Sequence, residues 1–389
     1  PTLDNLATPG ETRAAAFSGN HAYVADNHSG LHVIDVADPA AMEIVGSLAI
    51  ADVTRGIAVE GGLAYTGDNF GLRVIDVVDP TTPALVAGVA LPGQSFEIAL
   101  RDGRAFVAAG QAGLAVVDVT DPEVPVMVGG YPSTGDTEWV RLRESVLFMN
   151  DDEAGLLALD VQDPANPALL GVLTNPAGGF ALVGDLVYLV SGEKLLVVDA
   201  SDPASMWVIA GCKLRPGRHG VAVAGDRAYV SGSSLMVVDI GDPTNPTYIG
   251  SAETLSVLSL SPAVHNGALF VCDFYRGFTS LPLECRATDT HVSVVASSGL
   301  QLAAPHPNPS RSTTGLTFSL PATAQTVLTV HDVSGRRVCT LVDGDLPAGS
   351  HRSLWEGRDE YGRTAAAGVY FARLESRGQV RTTKIVRHR

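Results

Sequence analysis

The sequence predicts an all-β protein: a seven-bladed β-propeller followed by a small β-sandwich. Three observations carry this. The dipeptide Asp-Pro recurs at Asp38, Asp79, Asp121, Asp163, Asp202 and Asp242, at intervals of 41, 42, 42, 39 and 40 residues. Each interval holds four short, β-branched-rich apolar runs separated by turn residues. A period near 40 built from four strands is the signature of a propeller blade. Beyond residue 296 the repeat stops, and a Pro/Ser-rich stretch leads into a second, differently spaced set of strand patterns.

The second copy shows the logic of one blade. Between Thr54 and Gly93 the apolar runs are each 4–8 residues long, the length of a buried strand rather than a helix. Gly61-Gly62 makes the first turn, where positive φ carries no steric cost. Asp68-Asn69-Phe70-Gly71 makes the second and Asp79-Pro80 the third. In the third, the Asp side chain accepts a backbone N–H and Pro presets φ for the next position.

The blade count comes from the second strand, marked by Tyr23, Tyr65, Phe106, Phe148, Tyr188, Tyr229 and Phe270. The last copy has Pro282 where the others carry Asp, so it is a degenerate terminal repeat. Leu6 to Gly10 resembles Val89 to Gly93, the end of an outer strand. The chain is therefore expected to begin with a fourth strand that completes the last blade and ties the ring shut, removing two open edges. His291 to Val295 competes for the same position.

Gly-Leu-His-Val-Ile-Asp-Val-Ala-Asp-Pro at Gly30 to Pro39, with its five relatives, resembles the LVIVD repeat family of bacterial and archaeal surface proteins. The resemblance spans roughly residues 10–283. It implies a propeller and a surface location, and it assigns no ligand. The propeller domain is placed at 1–296.

Residues 297–312 read as a linker, with three prolines in the five residues from Pro305 to Pro309. Residues 313–389 carry strand patterns around Thr317, Thr326, Arg337, Ser350, Gly368 and Thr382. Turns are expected at Ser334-Gly335, Asp343-Gly344, Pro347 to Gly349, Asp359 to Gly362 and Arg377-Gly378, a spacing that gives a small sandwich. Asn308-Pro309, Asp332 to Arg336, Leu346 to Gly349, Trp355-x-Gly-x-Asp359-x-x-Gly362 and Ala367 to Phe371 resemble the Ig-like C-terminal domain of flagellar hook-capping proteins and type IX secretion sorting domains. That resemblance makes the sandwich Ig-like and implies a role in export or surface attachment, although such a domain also serves as a plain structural module.

Net charge is −16, and it is unevenly divided. Residues 1–300 carry 35 acids and 14 bases, whereas residues 301–389 carry 7 acids and 12 bases. The acidic part argues against nucleic acid, whose phosphates it would repel. The basic part reads either as a surface for docking on an anionic surface or on another copy's propeller or, more plainly, as a solvated face like the acidic one. Its arginines Arg336, Arg337, Arg352, Arg381 and Arg387 are the candidate assembly surface. No run approaches the ~18 apolar residues of a membrane helix. The chain begins with Pro1 rather than Met, which leads to the expectation that an export leader has been removed. Cys212, Cys272, Cys285 and Cys339 allow three full pairings. Cys272 and Cys285 lie at opposite ends of neighbouring strands, a poor disulfide geometry, so free buried thiols are expected.

No catalytic signature is present: no Gly-x-Ser-x-Gly, His-Glu-x-x-His, phosphate-binding loop or Cys-x-x-Cys. No cofactor is expected. Asp35, Asp76, Asp118, Asp160, Asp199 and Asp239 form a column of one per blade, which reads as turn hydrogen bonding. Asp151, Asp152 and Glu153 are the best Ca²⁺ candidates, because oxygen-rich loops suit that ion. Their spacing lacks the alternation of a calcium loop and favours an exposed acidic turn.

The start of each inner strand is more informative. One slot at the mouth of the central channel holds Arg13, Arg55, Phe96, Glu138, Gly178, His219 and Leu260. Further along, the same strands carry Ala16, Ala58, Ala99, Ala181, Ala222 and Ala263, and blade four departs from this with Trp139 and Arg141. Charged and aromatic residues on a small-residue scaffold read either as a binding funnel or as a plug whose members pair with one another. The candidate ligand set is Arg13, Arg55, Phe96, Glu138, Trp139 and His219. The expected function is non-catalytic recognition outside the cell, with a protein or glycan as partner. Alternatives are a head-to-tail filament of copies, or a hydrolase pairing Glu138 with His219.

Overall fold

The computed structural model describes residues 3–174, 178–215, 220–232, 234–252, 259–274, 276–283, 300–302, 305, 308, 310, 314–320, 322–346, 349–355, 357–360 and 363–388. They divide into two compact units, Pro1–Arg286 and Ala287–Arg389. The only helical element among them is a 3₁₀ turn at Pro203–Ser205.

The first unit contains seven four-stranded antiparallel sheets. Their innermost strands are Ala14–Ser18, Gly56–Glu60, Ile98–Arg101, Val140–Arg143, Phe180–Val183, Val221–Ala224 and Ser259–His265. Each neighbours the next, and the last neighbours the first, which closes the ring. The Tyr/Phe column sits on the second strands, all of these side chains being at most 5% exposed. Apolar residues of adjacent blades interleave, so Phe148 of blade 4 shares a cluster with Phe180, Val187 and Val198 of blade 5.

Ring closure follows the N-terminal expectation. Asp4–Leu6 pairs antiparallel with Gly277–Pro282 as the outer strand of blade 7. His291 to Val295 lies outside the described residues.

The two aspartates of each repeat make tandem turns. Asp35 Oδ1 accepts from Ala37 N at 2.8 Å and Asp38 Oδ1 from Ala40 N at 2.9 Å. Asp199 with Ser201 and Asp202 with Ala204 repeat the pattern in blade 5. The following proline then docks on the preceding blade. A Cβ on Gly46 would lie 2.1 Å from the Pro80 carbonyl oxygen, and one on Gly129 or Gly171 would lie 2.3 Å from that of Pro164 or Pro203. Every outer strand from blade 1 to blade 6 also bulges at one equivalent place, for example between Val33 and Ile34 on the partner strand. A bulge there twists an open edge away from further pairing.

The second unit packs a three-stranded sheet (Gln301–Leu302, Thr314–Leu320, Gly349–Trp355) with a four-stranded sheet ordered Arg337–Leu346, Ala324–Asp332, Gly368–Ser376, Gln379–Arg387. Trp355 is buried, meets Tyr370 edge-on at 4.9 Å and donates from Nε1 to the Arg358 carbonyl. Gln301–Leu302 falls inside the stretch read as linker, and Leu300 joins the sandwich core. Asp343-Gly344 is not a turn: the strand runs through it, because Asp343 and Asp345 alternate outward with Gly344 and Leu346. Period-two patterning outweighs the turn preference of the dipeptide.

Candidate functional site

The candidate site is one end of the central channel, where each inner strand begins. The backbone fixes its geometry: Arg13 N donates to Ala25 O, Arg55 N to Gly67 O and Phe96 N to Ala108 O, at 2.8–2.9 Å. The slot therefore lies at the same end as the turns between second and third strands. Gly56 is obligatory here, since a Cβ would stand 1.6 Å from the Phe96 carbonyl oxygen.

Arg55, Phe96 and Glu138 come together from three consecutive blades. The Arg55 guanidinium lies 5.5 Å from the Phe96 ring centroid, and its Nη1 donates to Asn69 Oδ1 at 2.7 Å. Asn69 in turn donates from Nδ2 to Asp52 at 2.7 Å. Burial lowers the Arg55 pKa from its ordinary value, and the charges of Asp52, Asp68 and Glu138 oppose that shift. Arg13 instead stacks 4.8 Å over Phe274, from the second turn of blade 7. Asp68 is buried; the other side chains of the group are half-buried.

Blade 4 differs from the expectation. Trp139 packs against the core between blades 4 and 5, alongside Phe148, Phe180 and Leu196, because its neighbour Val140 packs between blades 3 and 4 and adjacent residues face opposite sides of the sheet. Arg141 occupies the alanine column and forms an ion pair with Glu97 of blade 3. Glu97 also accepts from Val140 N at 3.1 Å. Glu97 escapes a column-by-column reading because it has meaning only in that single seam. His219 lies outside the described residues.

The acidic turn of blade 4 is only partly exposed. Asp152 and Glu153 are exposed, but Asp151 is 1% accessible. Its carboxylate accepts from Ser133 Oγ (2.6 Å), Thr134 N (2.8 Å), Thr134 Oγ1 (2.9 Å), Glu153 N (2.9 Å) and Ala154 N (2.8 Å). Burial pushes its pKa up, but these donors outweigh burial and hold it far below the usual carboxylate range. Asp151 thus clamps the incoming loop of blade 3 to blade 4, as Asp26 clamps Thr8 and Gly10 to blade 1. Asp26 also faces His32 at 3.1 Å, where blade 2 has the pair Asp68–Arg73 at 2.7 Å. Among the described residues no group of three or more His, Cys, Asp or Glu side chains is arranged to hold a metal ion.

Cys212, Cys272 and Cys339 are free and buried; Cys285 lies outside the described residues. Of the basic sandwich residues, Arg336 pairs with Asp332 at 3.0 Å and Arg337 with Glu360 at 3.9 Å, while Arg381 is exposed. Arg387 is 8% exposed and donates to the Ala365 carbonyl, so it belongs to the interior rather than to a surface. It packs over Gly357, where φ is +67° and a side chain would collide with the guanidinium. Arg352 lies on a described strand, Gly349–Trp355.

Comparison with known proteins agrees with this architecture. The LVIVD repeat model matches residues 9–49, 53–90, 92–132, 134–174, 176–213 and 219–254, and the FlgD Ig-like domain model matches 308–379. Blade 7 lies outside the matched segments. No curated protein matches the chain significantly. Among solved structures, the β-propeller domain of Cps50 (Swd1) from Myceliophteria thermophila superposes with TM-score 0.60 at 13% identity, covering 73% of this chain and 99% of that one. BamB from Moraxella catarrhalis gives 0.54 at 14%, covering 75% and 99%. PorZ, described as an essential bacterial surface component of the type-IX secretion system of Porphyromonas gingivalis, gives 0.51 at 13%. That match covers all of this chain, which spans 61% of PorZ. At these identities the likeness is one of fold.

Proposed function

The chain belongs to the LVIVD-repeat family and carries a FlgD Ig-like domain, and from that premise we propose that it is an exported, non-catalytic interaction protein. Its propeller is a rigid platform that receives a protein or glycan at the channel mouth. The sandwich serves attachment or secretion.

The observation that carries this is the Arg55–Phe96 stack, held between Asn69, Asp52 and Glu138 on an alanine- and glycine-rich ring. Three consecutive blades contribute to it, each from the residues that lead into its inner strand. Half-buried aromatic and guanidinium groups on a rigid frame are recognition chemistry. The likeness to PorZ over the whole chain supports the surface location.

The test is a glycan and peptide array probed with the intact chain and with Arg55→Ala. Binding weakened by about tenfold or more in the variant is expected, the loss typical of a central contact. Turnover of glycosidase, esterase or lactonase substrates, abolished in Glu138→Gln, would replace this reading with a hydrolase. Fractionation that leaves the mature chain in the cytoplasm would overturn the location.

A further inference from the structure

We infer that the platform has a second partner surface, and that its occupant is another copy of this chain: the outward face of the four-stranded sandwich sheet in one copy docks on the Asp-Pro face of another's propeller. The inference rests on the platform reading above and extends it to the opposite end of the blades.

Antiparallel blades put the turns between strands one and two at the same end as the turns between strands three and four. That end, in blades 1–6, carries the two turn aspartates of every repeat. Glu60, Asp102, Glu123, Glu144, Asp185 and Asp226 join them there. Among the described residues the bases at that end are Arg101, Arg104, Arg143 and Arg227, and each is engaged. Arg104 pairs with Asp118 at 3.0 Å and Arg227 with Asp239 at 2.6 Å. Arg101 donates to Val161 O and Arg143 to Gly184 O. At the opposite end Arg13, Arg55, Arg73, Arg141, Lys194 and Lys213 offset much of the acid there, Asp26, Asp52, Asp68, Glu97, Glu138 and Asp151 included, so the propeller's net negative charge is greater on the Asp-Pro face.

The sandwich presents the complement. Tyr370, Ala372 and Leu374 point into its core, so Phe371 and Arg373 point out. Register sets Phe371 beside Lys384 on one side and His331 on the other, with Arg337 opposite His331. A single row across all four strands therefore reads Arg337, His331, Phe371, Lys384. Phe371 is 37% exposed and Val380 41%. An exposed aromatic flanked by cations has the anatomy of an interface centre and rim. Residues 301–389 carry 12 bases against 7 acids. Opposite charge on two different faces of one chain makes the contact heterologous, with head-to-tail growth.

Sedimentation velocity of the intact chain over a range of concentration and salt tests this. The expected result is a sedimentation coefficient that rises with concentration at low salt, and no rise at about 0.5 M salt, where screening acts within a few ångströms. Arg373→Glu with Lys384→Glu, and separately Glu60→Arg with Glu123→Arg, should each weaken association roughly tenfold or more. Mixing the two variants should restore a one-to-one complex through the faces left intact. A wild-type monomer at every concentration and salt, or variants that associate as wild type does, would overturn the inference. A monomer whose array binding still depends on Arg55 overturns only this inference. Self-association without Arg55-dependent binding overturns only the channel-mouth reading.

Discussion

Glu97 of blade 3 reaches across the seam to Arg141 of blade 4 and accepts the Val140 N–H at 3.1 Å. One carboxylate thus neutralises the single charge placed in the alanine column and satisfies a backbone donor of the neighbouring strand.

Glu97→Ala should therefore cost more than Arg141→Ala. The first leaves a half-buried cation and an unpaired N–H; the second restores the small residue found in the other blades. About 1–3 kcal/mol is expected for Glu97→Ala and less than half of that for Arg141→Ala. Urea unfolding of both variants and the double variant measures it, and equal costs would contradict the account.

Asp151 predicts acid sensitivity. Its folded pKa lies below the ordinary 3.8, so its contribution is complete above that value and is lost as pH falls below it. Asp332 behaves alike in the sandwich, where the Ser334 hydroxyl, together with the Ser334 and Arg336 backbone N–H groups and the Arg336 side chain, outweighs the opposing effect of burial and lowers it to about 2. Asp151→Asn should cost about 2–3 kcal/mol near neutral pH and flatten the decline below pH 4. A denaturation midpoint measured across that range checks both statements; a steeper decline in the variant would be the wrong sign.

Removing residues 1–7 should untie the ring. Blade 7 loses its outer strand, and Met42 N loses the Asp4 carboxylate that accepts from it at 2.8 Å. Hydrogen exchange should rise first in Gly277–Pro282 and Leu31–Asp35, and global stability should fall by about 2–4 kcal/mol, a few net hydrogen bonds plus packing. Unchanged protection in both strands would refute it.

The thiols should be inert in the native state. Burial raises the Cys272 pKa strongly, and burial with Glu360 and Asp359 raises Cys339 to about 11. Burial raises Cys212 as well. Maleimide labelling read by mass spectrometry should spare all three until denaturant is added. Rapid native labelling of Cys272 would show that blade 7 opens.

What was legible in the sequence was what repeats. Six copies of the Asp-Pro turn and seven of the Tyr/Phe column fixed the blades, and a fragment at Leu6 to Gly10 was enough to anticipate ring closure. Features that occur once were not legible. Trp139 stood beside the channel slot in sequence yet packs between blades, because adjacent residues at a strand start point to opposite sides. Arg387 looked like surface charge in a basic tail, but Gly357 leaves room for it indoors. Glu97 carried no signal until its partner across the seam was placed.

The closing strand has a mechanical consequence. Asp4 pairs with Ser280 and Leu6 with Phe278, so the strand's N-terminal end lies beside the end from which the chain continues in sequence into the second unit. Tension applied between those two ends pulls the pair apart from one side, one rung after another, instead of loading every rung in shear. Blade 7 therefore yields before the other six bear load. A chain tethered through its sandwich and pulled from its other end has a built-in fuse, and re-zipping three rungs resets it.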